Sequence, residues 1–154
     1  MVTTIVDDAE DLYRSIRADD YSYQDGKLFF SSTAFDDREM KPSVDRSSMR
    51  GNPADARIGP TDGIAKLLTA DVRNSCKVPI IKNGLAVGEY AVDAVHRPIE
   101  NDPQEADNLA HCQIECNPLI ESDTRFKKLK AALANLANKH GFIVPPIPTK
   151  PATH

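Results

Sequence analysis

The segment Ala110-His-Cys-Gln-Ile-Glu-Cys116 is the clearest strand in the chain and indicates the class of fold. Successive side chains of a strand point to opposite faces of the sheet. The small and apolar side chains therefore lie on one face and the polar ones on the other: Ala110, Cys112, Ile114 and Cys116 against His111, Gln113 and Glu115. This alternation is typical of an antiparallel sheet with one buried face. Asn117-Pro118 ends the strand.

The segment after this strand predicts the helix that covers the sheet. Ser122 is a suitable N-cap, and Gly141 is a natural residue just beyond the C-terminal end. Between them lies one apolar stripe at helical spacing: Phe126, Leu129, Leu133 and Leu136. We expect this stripe to pack against the sheet.

The segment before the strand predicts a hairpin and a short helix. Lys77–Ile81 reads as a strand that meets Asn83-Gly84, a strong hairpin turn signal. A long alternating strand over Leu85–His96 is expected to follow. Further upstream, Pro60-Thr61 is expected to open a small helix with Thr61 as its N-cap. That helix would carry three apolar residues: Ile64, Leu67 and Leu68.

In the N-terminal third the spacing of the apolar residues does not distinguish a helix from a strand. The apolar residues of Ile5–Arg17 fit a helix and a strand equally well, and we expect a short acidic helix or turn over 7–11 followed by an extended segment. Tyr21–Gly26 reads as a turn because Asp-Gly favours positive φ. Lys27–Phe30 then predicts a brief buried strand that ends in Ser31–Thr33.

Two segments are polar or rich in proline. Residues 36–63 form a long stretch of turn-forming residues, of the kind that is functional or disordered, in which Ser43–Arg46 is a candidate short strand. Residues 145–154 hold four prolines and are expected to be an extended or disordered tail. We therefore predict one α+β domain over 1–144, with a mostly antiparallel sheet of about five strands. The C-terminal helix and one or two short helices would pack on it.

Composition excludes several classes of protein. The chain has 154 residues, of which 40% are hydrophobic and 27% charged, as in ordinary globular proteins. No apolar run is long enough to span a membrane, and no secretory signal is visible, so a membrane partner is not expected. Three cysteines without such a signal favour a reducing, cytoplasmic location.

The charge of the chain bears on its partners. A net charge of −4 gives no general attraction to nucleic acid. One basic patch on the last helix could bind RNA or phosphate locally, although a solvated helix face explains it better: Arg125, Lys127, Lys128 and Lys130. The sequence has no phosphate-binding glycine loop, no Gly-x-Ser-x-Gly, no His-Glu-x-x-His and no Cys-x-x-Cys. We expect no metal.

Three short motifs occur in a suggestive order along the chain: Leu12-Tyr13-Arg14, then Ser31-Ser32-Thr33, then Gln113-Ile114-Glu115. This order resembles the ADP-ribosyltransferase superfamily, which uses an arginine, a serine/threonine strand and a (Glu/Gln)-x-Glu motif. The resemblance implies NAD as substrate and a role as a bacterial toxin or protein modifier.

The resemblance also implies the parts of the site. Arg14 would contact the NAD phosphates, and Ser31, Ser32 and Thr33 would shape the nicotinamide pocket. Glu115 would stabilise the oxocarbenium-like state, with Gln113 and His111 beside it on the same strand face. A guanidinium suits a diphosphate, and a carboxylate suits positive charge that develops on ribose.

Other functions remain open from the sequence. The chain could be a non-catalytic accessory protein that binds a protein partner through 36–63 or through the tail. It could also be a small ribonuclease in which His96 or His111 acts with Arg14 or Lys127, since histidine can serve as acid or base near neutral pH. The polar side chains of the 110–116 strand could equally be an ordinary solvated face.

Overall fold

A six-stranded antiparallel sheet and two helices form the protein, which the computed structural model describes over residues 4–148. The elements in chain order are β1 (Asp11–Ile16), β2 (Tyr21–Gln24), β3 (Lys27–Phe30), β4 (Ser43–Arg46), β5 (Gly63–Leu68), α1 (Thr69–Ser75), β6 (Pro79–Lys82), β7 (Leu85–Glu89), β8 (Ala91–His96), β9 (His111–Asn117), α2 (Asp123–Asn138) and β10 (Phe142–Val144). The sheet order is β10-β5-β1-β4-β9-β8, and β2-β3 and β6-β7 are separate hairpins. The predicted α+β class is confirmed, with six strands in the main sheet.

One face of the sheet is apolar and lies under the helices. The register pairs Leu12 with Leu67 and Ala94 with Ile114, so their side chains share this buried face. α2 packs against β5 and β3, and α1 packs against β8. The predicted stripe of α2 is buried, and Ser122 Oγ accepts a hydrogen bond from the Arg125 backbone N–H at 3.2 Å, as expected of an N-cap.

The opposite face, which we call the open face, carries polar side chains. Tyr13 pairs with Asp45, which pairs in turn with His111, so polar side chains of β1, β4 and β9 lie side by side. Residues 47–62, which we call the strap, contact this part of the sheet through two short 3-10 turns, Ser47–Met49 and Pro53–Ala56. The predicted strand Ser43–Arg46 is confirmed and lies in the middle of the sheet.

Strands β1 and β4 separate beyond the pair Tyr13–Asp45, which is where their regular register ends. The side chain of Arg14 bridges this separation. Its guanidinium donates to the carbonyl oxygens of Ala34 at 2.8 Å, Ser43 at 2.8 Å and Asp36 at 3.1 Å. These bonds tie the end of β4 and the segment after β3 to the centre of the sheet.

The expected helix over Ile64, Leu67 and Leu68 is wrong, because these residues form β5. β5 pairs with β1 on one side and with β10 on the other, so both of its edges are hydrogen-bonded. The apolar residues of β5 are divided between its two faces, Ile64 and Leu68 on one and Leu67 on the other, so over this short run they imitate helical spacing. Helix formation begins only at Thr69.

Three smaller expectations also need correction. Tyr21–Gln24 is a strand of the β2-β3 hairpin, and only Asp25-Gly26 turns. The strand before Ser31 ends at Phe30, and Ser32–Phe35 is a 3-10 turn that caps the end of the hairpin. The long strand over 85–96 is interrupted at Tyr90, where the hairpin β6-β7 leaves the main sheet.

The remaining expectations for the ends of the chain have different outcomes. The extended segment of the N-terminus is confirmed as β1, preceded by a turn. Residues 145–148 have no regular structure, and the rest of the predicted proline-rich tail lies outside the described residues. Within residues 4–148 neither helix has the length and hydropathy that crossing a membrane requires.

Candidate active site on the open face

Arg14 and the hydroxyl residues that were expected to bind NAD lie near one another. Arg14 and Thr33 line one cavity of about 230 Å³ together with Asp20. The Thr33 hydroxyl donates to the Asp20 carboxylate at 2.9 Å and lies 2.6 Å from Ser31 Oγ, while Ser32 begins the 3-10 turn. The Arg14 guanidinium donates hydrogen bonds to three backbone carbonyl oxygens.

The other expected site residues lie on the opposite side of the sheet. His111, Gln113 and Glu115 are on the open face of β9, whereas the Arg14 side chain is on the buried face of β1, with β4 between the two strands. The Glu115 carboxylate receives both guanidinium arms of Arg97, at 2.9 and 3.1 Å. The structure therefore does not bring Arg14 and Glu115 into one cleft.

The residues proposed for phosphate or RNA contact are also dispersed. Lys127 and Lys128 are exposed, but Lys130 is paired with Asp36 at 3.1 Å and lies over the Phe126 ring. Arg125 reaches the backbone carbonyl of Pro79 at 3.5 Å. His96 lies on the buried face of β8, in register with Cys112, and is remote from α2 Lys127.

The three cysteines are buried free thiols, as the alternating pattern of β9 indicates for Cys112 and Cys116. Burial raises the pKa of Cys112 to about 12 and that of Cys116 to about 11. Burial also raises the pKa of Cys76 to about 12, helped by the neighbouring Cys116. Because the thiolate is the reactive form, none of these cysteines is suited to nucleophilic chemistry at neutral pH.

The open face brings together a serine and a histidine that are 68 residues apart in the chain. β4 and β9 pair with Ser43 opposite Gln113 and Asp45 opposite His111, which places Ser43 and His111 on a diagonal of the same face. Ser43 Oγ and His111 Nε2 are 3.0 Å apart. This is hydrogen-bond distance for a nucleophile and its base.

A backbone carbonyl determines which nitrogen of His111 carries the proton. His111 Nδ1 lies 2.7 Å from the carbonyl oxygen of Arg97, which can only accept a hydrogen bond. In the neutral ring Nδ1 therefore holds the hydrogen and Nε2 presents its lone pair to the Ser43 hydroxyl. The Arg97 carbonyl is itself fixed, because the Arg97 N–H donates to the His111 carbonyl at 3.0 Å.

A cavity of about 110 Å³ lies beside this pair, between the open face and the strap. Ser43 and His111 line it together with Tyr13 of β1 and Ile58 of the strap. Burial, and next the nearby Asp11 carboxylate, raise the pKa of Tyr13 above its ordinary value, so its hydroxyl stays protonated at neutral pH. The cavity thus holds a serine hydroxyl, an imidazole and a tyrosine hydroxyl that can donate a hydrogen bond.

Two hydrogen-bond networks hold the strap over the cavity. On one side Arg50 contacts Asp45 at 2.8 Å and Asn108 at 2.9 Å, and the Asn108 amide donates back to Asp45 at 2.9 Å. On the other side the Ser15 hydroxyl donates to buried Asp62 at 2.7 Å and accepts from the Ile58 backbone N–H at 3.0 Å. These networks fix the walls around the Ser43–His111 pair.

No family model matches the chain, and no significant match is found among curated protein sequences or solved structures. The candidate site is therefore identified only from the positions and contacts of its own residues. Among residues 4–148, no three His, Cys, Asp or Glu side chains are grouped so that they could hold a metal ion.

Ser43 and Tyr13 carry no motif that would single them out in the sequence. His111 is identifiable from its place on the polar face of β9, but its partner is not. The sequence feature that points to Ser43 is the short strand Ser43–Arg46 within a long polar segment. A strand in such a segment places its polar side chains on the sheet, where they can take part in a site.

Proposed function

We propose that the protein is a hydrolase of small acyl esters or amides, with Ser43 as nucleophile and His111 as general base. The observation that carries the proposal is the chain of contacts from Ser43 Oγ to His111 Nε2 at 3.0 Å and from His111 Nδ1 to the Arg97 carbonyl at 2.7 Å. A nucleophile, a base and a group that orients the base are the three parts of serine-hydrolase chemistry, whatever the fold.

The reaction follows from these contacts. Ser43 Oγ attacks the acyl carbon while its proton passes to His111 Nε2. The bond to the leaving group then breaks, and Nε2 returns the proton to the leaving oxygen or nitrogen. Water attacks the acylated serine with His111 again as base, which releases the carboxylic acid and restores the Ser43 hydroxyl.

Tyr13 is placed to stabilise the intermediate, in which negative charge develops on the former carbonyl oxygen. A protonated tyrosine hydroxyl is an effective donor to such an oxyanion. Tyr13 lines the same cavity as the pair, and the structure gives its hydroxyl no hydrogen-bond partner among residues 4–148. It is therefore available to a bound acyl group.

The functions expected from the sequence draw less support from this arrangement. ADP-ribosyl transfer needs the arginine and the glutamate in one cleft, and ribonuclease action needs cations near the histidine that are free to bind phosphate. The two arginines that line the His111 cavity are already engaged, Arg50 by the Asp45 carboxylate and Arg57 by the Asp62 carbonyl. Arg14 lies across the sheet from both Glu115 and His111, and three carbonyls occupy its guanidinium. NAD binding would thus have to use other residues.

The first prediction tests the nucleophile directly with 4-nitrophenyl acetate. We expect Ser43→Ala and His111→Gln each to lower kcat/KM at least about 100-fold, because each removes one half of a unit that acts together. Tyr13→Phe should lower it about 10- to 100-fold as an oxyanion donor is lost. Circular dichroism and urea unfolding check that each variant is folded.

Matched controls separate the site from surface reactivity. Ser22→Ala and His140→Gln remove a serine and a histidine far from the cavity and should leave the rate unchanged. A fluorophosphonate should label Ser43 in the wild type, as read by peptide mass. Equal rates for Ser43→Ala and wild type, with no label on Ser43, contradict the proposal.

A further inference from the structure

We propose that the preferred substrate joins a small acyl group to a larger cationic leaving group. The acyl group would lie in the cavity beside Ser43, and the cationic group would lie in an adjacent groove beyond His111. This inference rests on the proposed function and adds the chemical class of the substrate.

Two spaces of different size meet at His111. On one side is the cavity of about 110 Å³ that Ser43 and Tyr13 line. On the other side is a wider groove of about 390 Å³, lined by His111, Gln113 and residues of the loop after β8. Ligand sites for whole small molecules commonly measure about 300–1,000 Å³, so the cavity suits only a short acyl chain, while the groove has room for more.

The chemistry assigns the two spaces to the two halves of the substrate. Ser43 Oγ must reach the acyl carbon, which places the acyl group in the cavity. His111 Nε2 must return its proton to the leaving atom, so this atom lies at the Ser43 side of the imidazole and the rest of the leaving group extends past the ring into the groove. Because His111 lines both spaces, a substrate that spans it would meet both requirements.

The charges around the groove favour a cation. Glu39, Asp102 and Glu105 line it as exposed carboxylates, and the structure pairs none of them with a cationic side chain within residues 4–148. Arg97, the cation of the groove lining, is already held bidentately by Glu115. A groove lined by one sign of charge raises the local concentration of the opposite ion and speeds its association.

Local hydrogen bonds order the loop that carries Asp102 and Glu105. Asp102 accepts hydrogen bonds from the backbone N–H groups of Gln104 at 2.7 Å and Glu105 at 3.2 Å. Asp107 likewise accepts from the Asn101 N–H at 3.0 Å. The same charges would repel phosphate, which is a further reason to favour acyl transfer over phosphodiester cleavage at His111.

The experiment compares two thioesters of the same shape. Acetylthiocholine carries a quaternary ammonium, and 3,3-dimethylbutyl thioacetate is its neutral analogue. We expect the wild type to hydrolyse the cationic ester with a kcat/KM about tenfold or more above that of the neutral one, and the ratio to fall with added salt. In the triple variant Glu39→Gln/Asp102→Asn/Glu105→Gln the ratio of the two kcat/KM values should approach one.

A second triple variant controls for net charge. Asp25→Asn/Glu89→Gln/Glu121→Gln removes three exposed carboxylates elsewhere and should keep the wild-type ratio. A ratio near one in the wild type, with Ser43-dependent turnover of the neutral ester, overturns this inference and leaves the proposed function standing. No Ser43-dependent turnover of either ester overturns both. Calorimetric binding of choline to Ser43→Ala, lost in the groove variant, would support the groove independently of turnover.

Discussion

At the scale of single residues, Glu10 and Arg46 form an ion pair that is almost fully buried. Their side chains are 8% and 3% exposed, and the carboxylate and guanidinium lie 2.9 Å apart. Burial acts to raise the pKa of Glu10, but hydrogen bonds from Arg46 and Ser48 outweigh it and hold the pKa below its ordinary value. The pair links the segment before β1 to the middle strand β4.

The second prediction concerns this pair. We expect Glu10→Gln to lower the free energy of unfolding by about 3 kcal/mol, because the buried guanidinium of Arg46 would lose the negative charge of Glu10, with which it forms a salt bridge. Urea unfolding at pH 7 measures the change. Glu121→Gln, which removes an exposed carboxylate, should change stability by less than about 0.5 kcal/mol. A loss of similar size in both variants would contradict the buried-pair argument.

Arg14 was expected to bind phosphate but instead binds backbone carbonyl oxygens. A guanidinium that can bind a diphosphate can equally bind carbonyl oxygens, and the sequence does not distinguish the two uses. Here it binds the carbonyl of Ser43 from the buried face, directly beneath the proposed nucleophile. Arg14 is thus a positioning residue for the open-face site.

At the scale of elements, β5 and the β6-β7 hairpin have opposite relations to the core. Leu67 of β5 is fully buried, whereas Leu85 and Val87 of β7 are 69% and 58% exposed. β7 pairs only with β6, and neither strand joins the main sheet. The hairpin therefore adds little to the hydrophobic core.

The third prediction follows from this contrast. We expect Leu67→Ala to cost about 3 kcal/mol of stability, from lost apolar burial and the cavity left behind. Leu85→Ser/Val87→Ser should change stability by less than about 0.5 kcal/mol for each residue. Chemical denaturation of the two variants beside the wild type tests both numbers. A large loss in the hairpin variant would mean that the hairpin packs on the body of the protein.

A helix or strand can be predicted from the sequence when the residues that specify it are its own or its neighbours in the chain. β9, α2 and the Asn83-Gly84 turn carry their signals locally, in alternation, capping and turn residues, and each forms as expected. β5 does not, because its pairing partners β1 and β10 are distant in the chain and leave no local signal in its own residues.

The same reasoning applies to the candidate site. The polar face of β9 and the residue His111 follow from the sequence alone. The partnership with Ser43 depends on the register of β4 against β9, which is set by tertiary pairing across 68 residues. The residues near Ser43 in the sequence do not indicate which residues of β9 it faces.

At the scale of the whole molecule, stability should depend on pH through two groups. Burial, and next the charge of Arg46, lower the pKa of His96, and the pKa of Glu10 is lowered as described above. The buried Nδ1 of His96 has no hydrogen-bond partner among the described residues. Both groups bind protons more readily in the unfolded chain, so both contribute stability at neutral pH that is lost on acidification.

The fourth prediction gives the pH ranges in which the protein loses stability. The free energy of unfolding should begin to fall below about pH 6.5, where His96 of the unfolded chain takes up a proton, and fall further below about pH 4.5 through Glu10. Urea titrations between pH 8 and about pH 3 measure this. His96→Leu should flatten the upper part of the slope and leave the lower part. An unchanged slope between pH 6.5 and 5 in that variant would contradict the role of His96.

The central position of β4 has a consequence for biosynthesis. β4 is joined on one side to β1 and on the other to β9, which begins at His111, so the middle of the sheet stays open until most of the chain has left the ribosome. Until then the apolar face of the emerging strands has no complete partner, and α2 follows only afterwards. The sheet can therefore be completed only late in synthesis, and a nascent chain that stalls before β9 would expose an apolar face and depend on chaperones to stay free of aggregation.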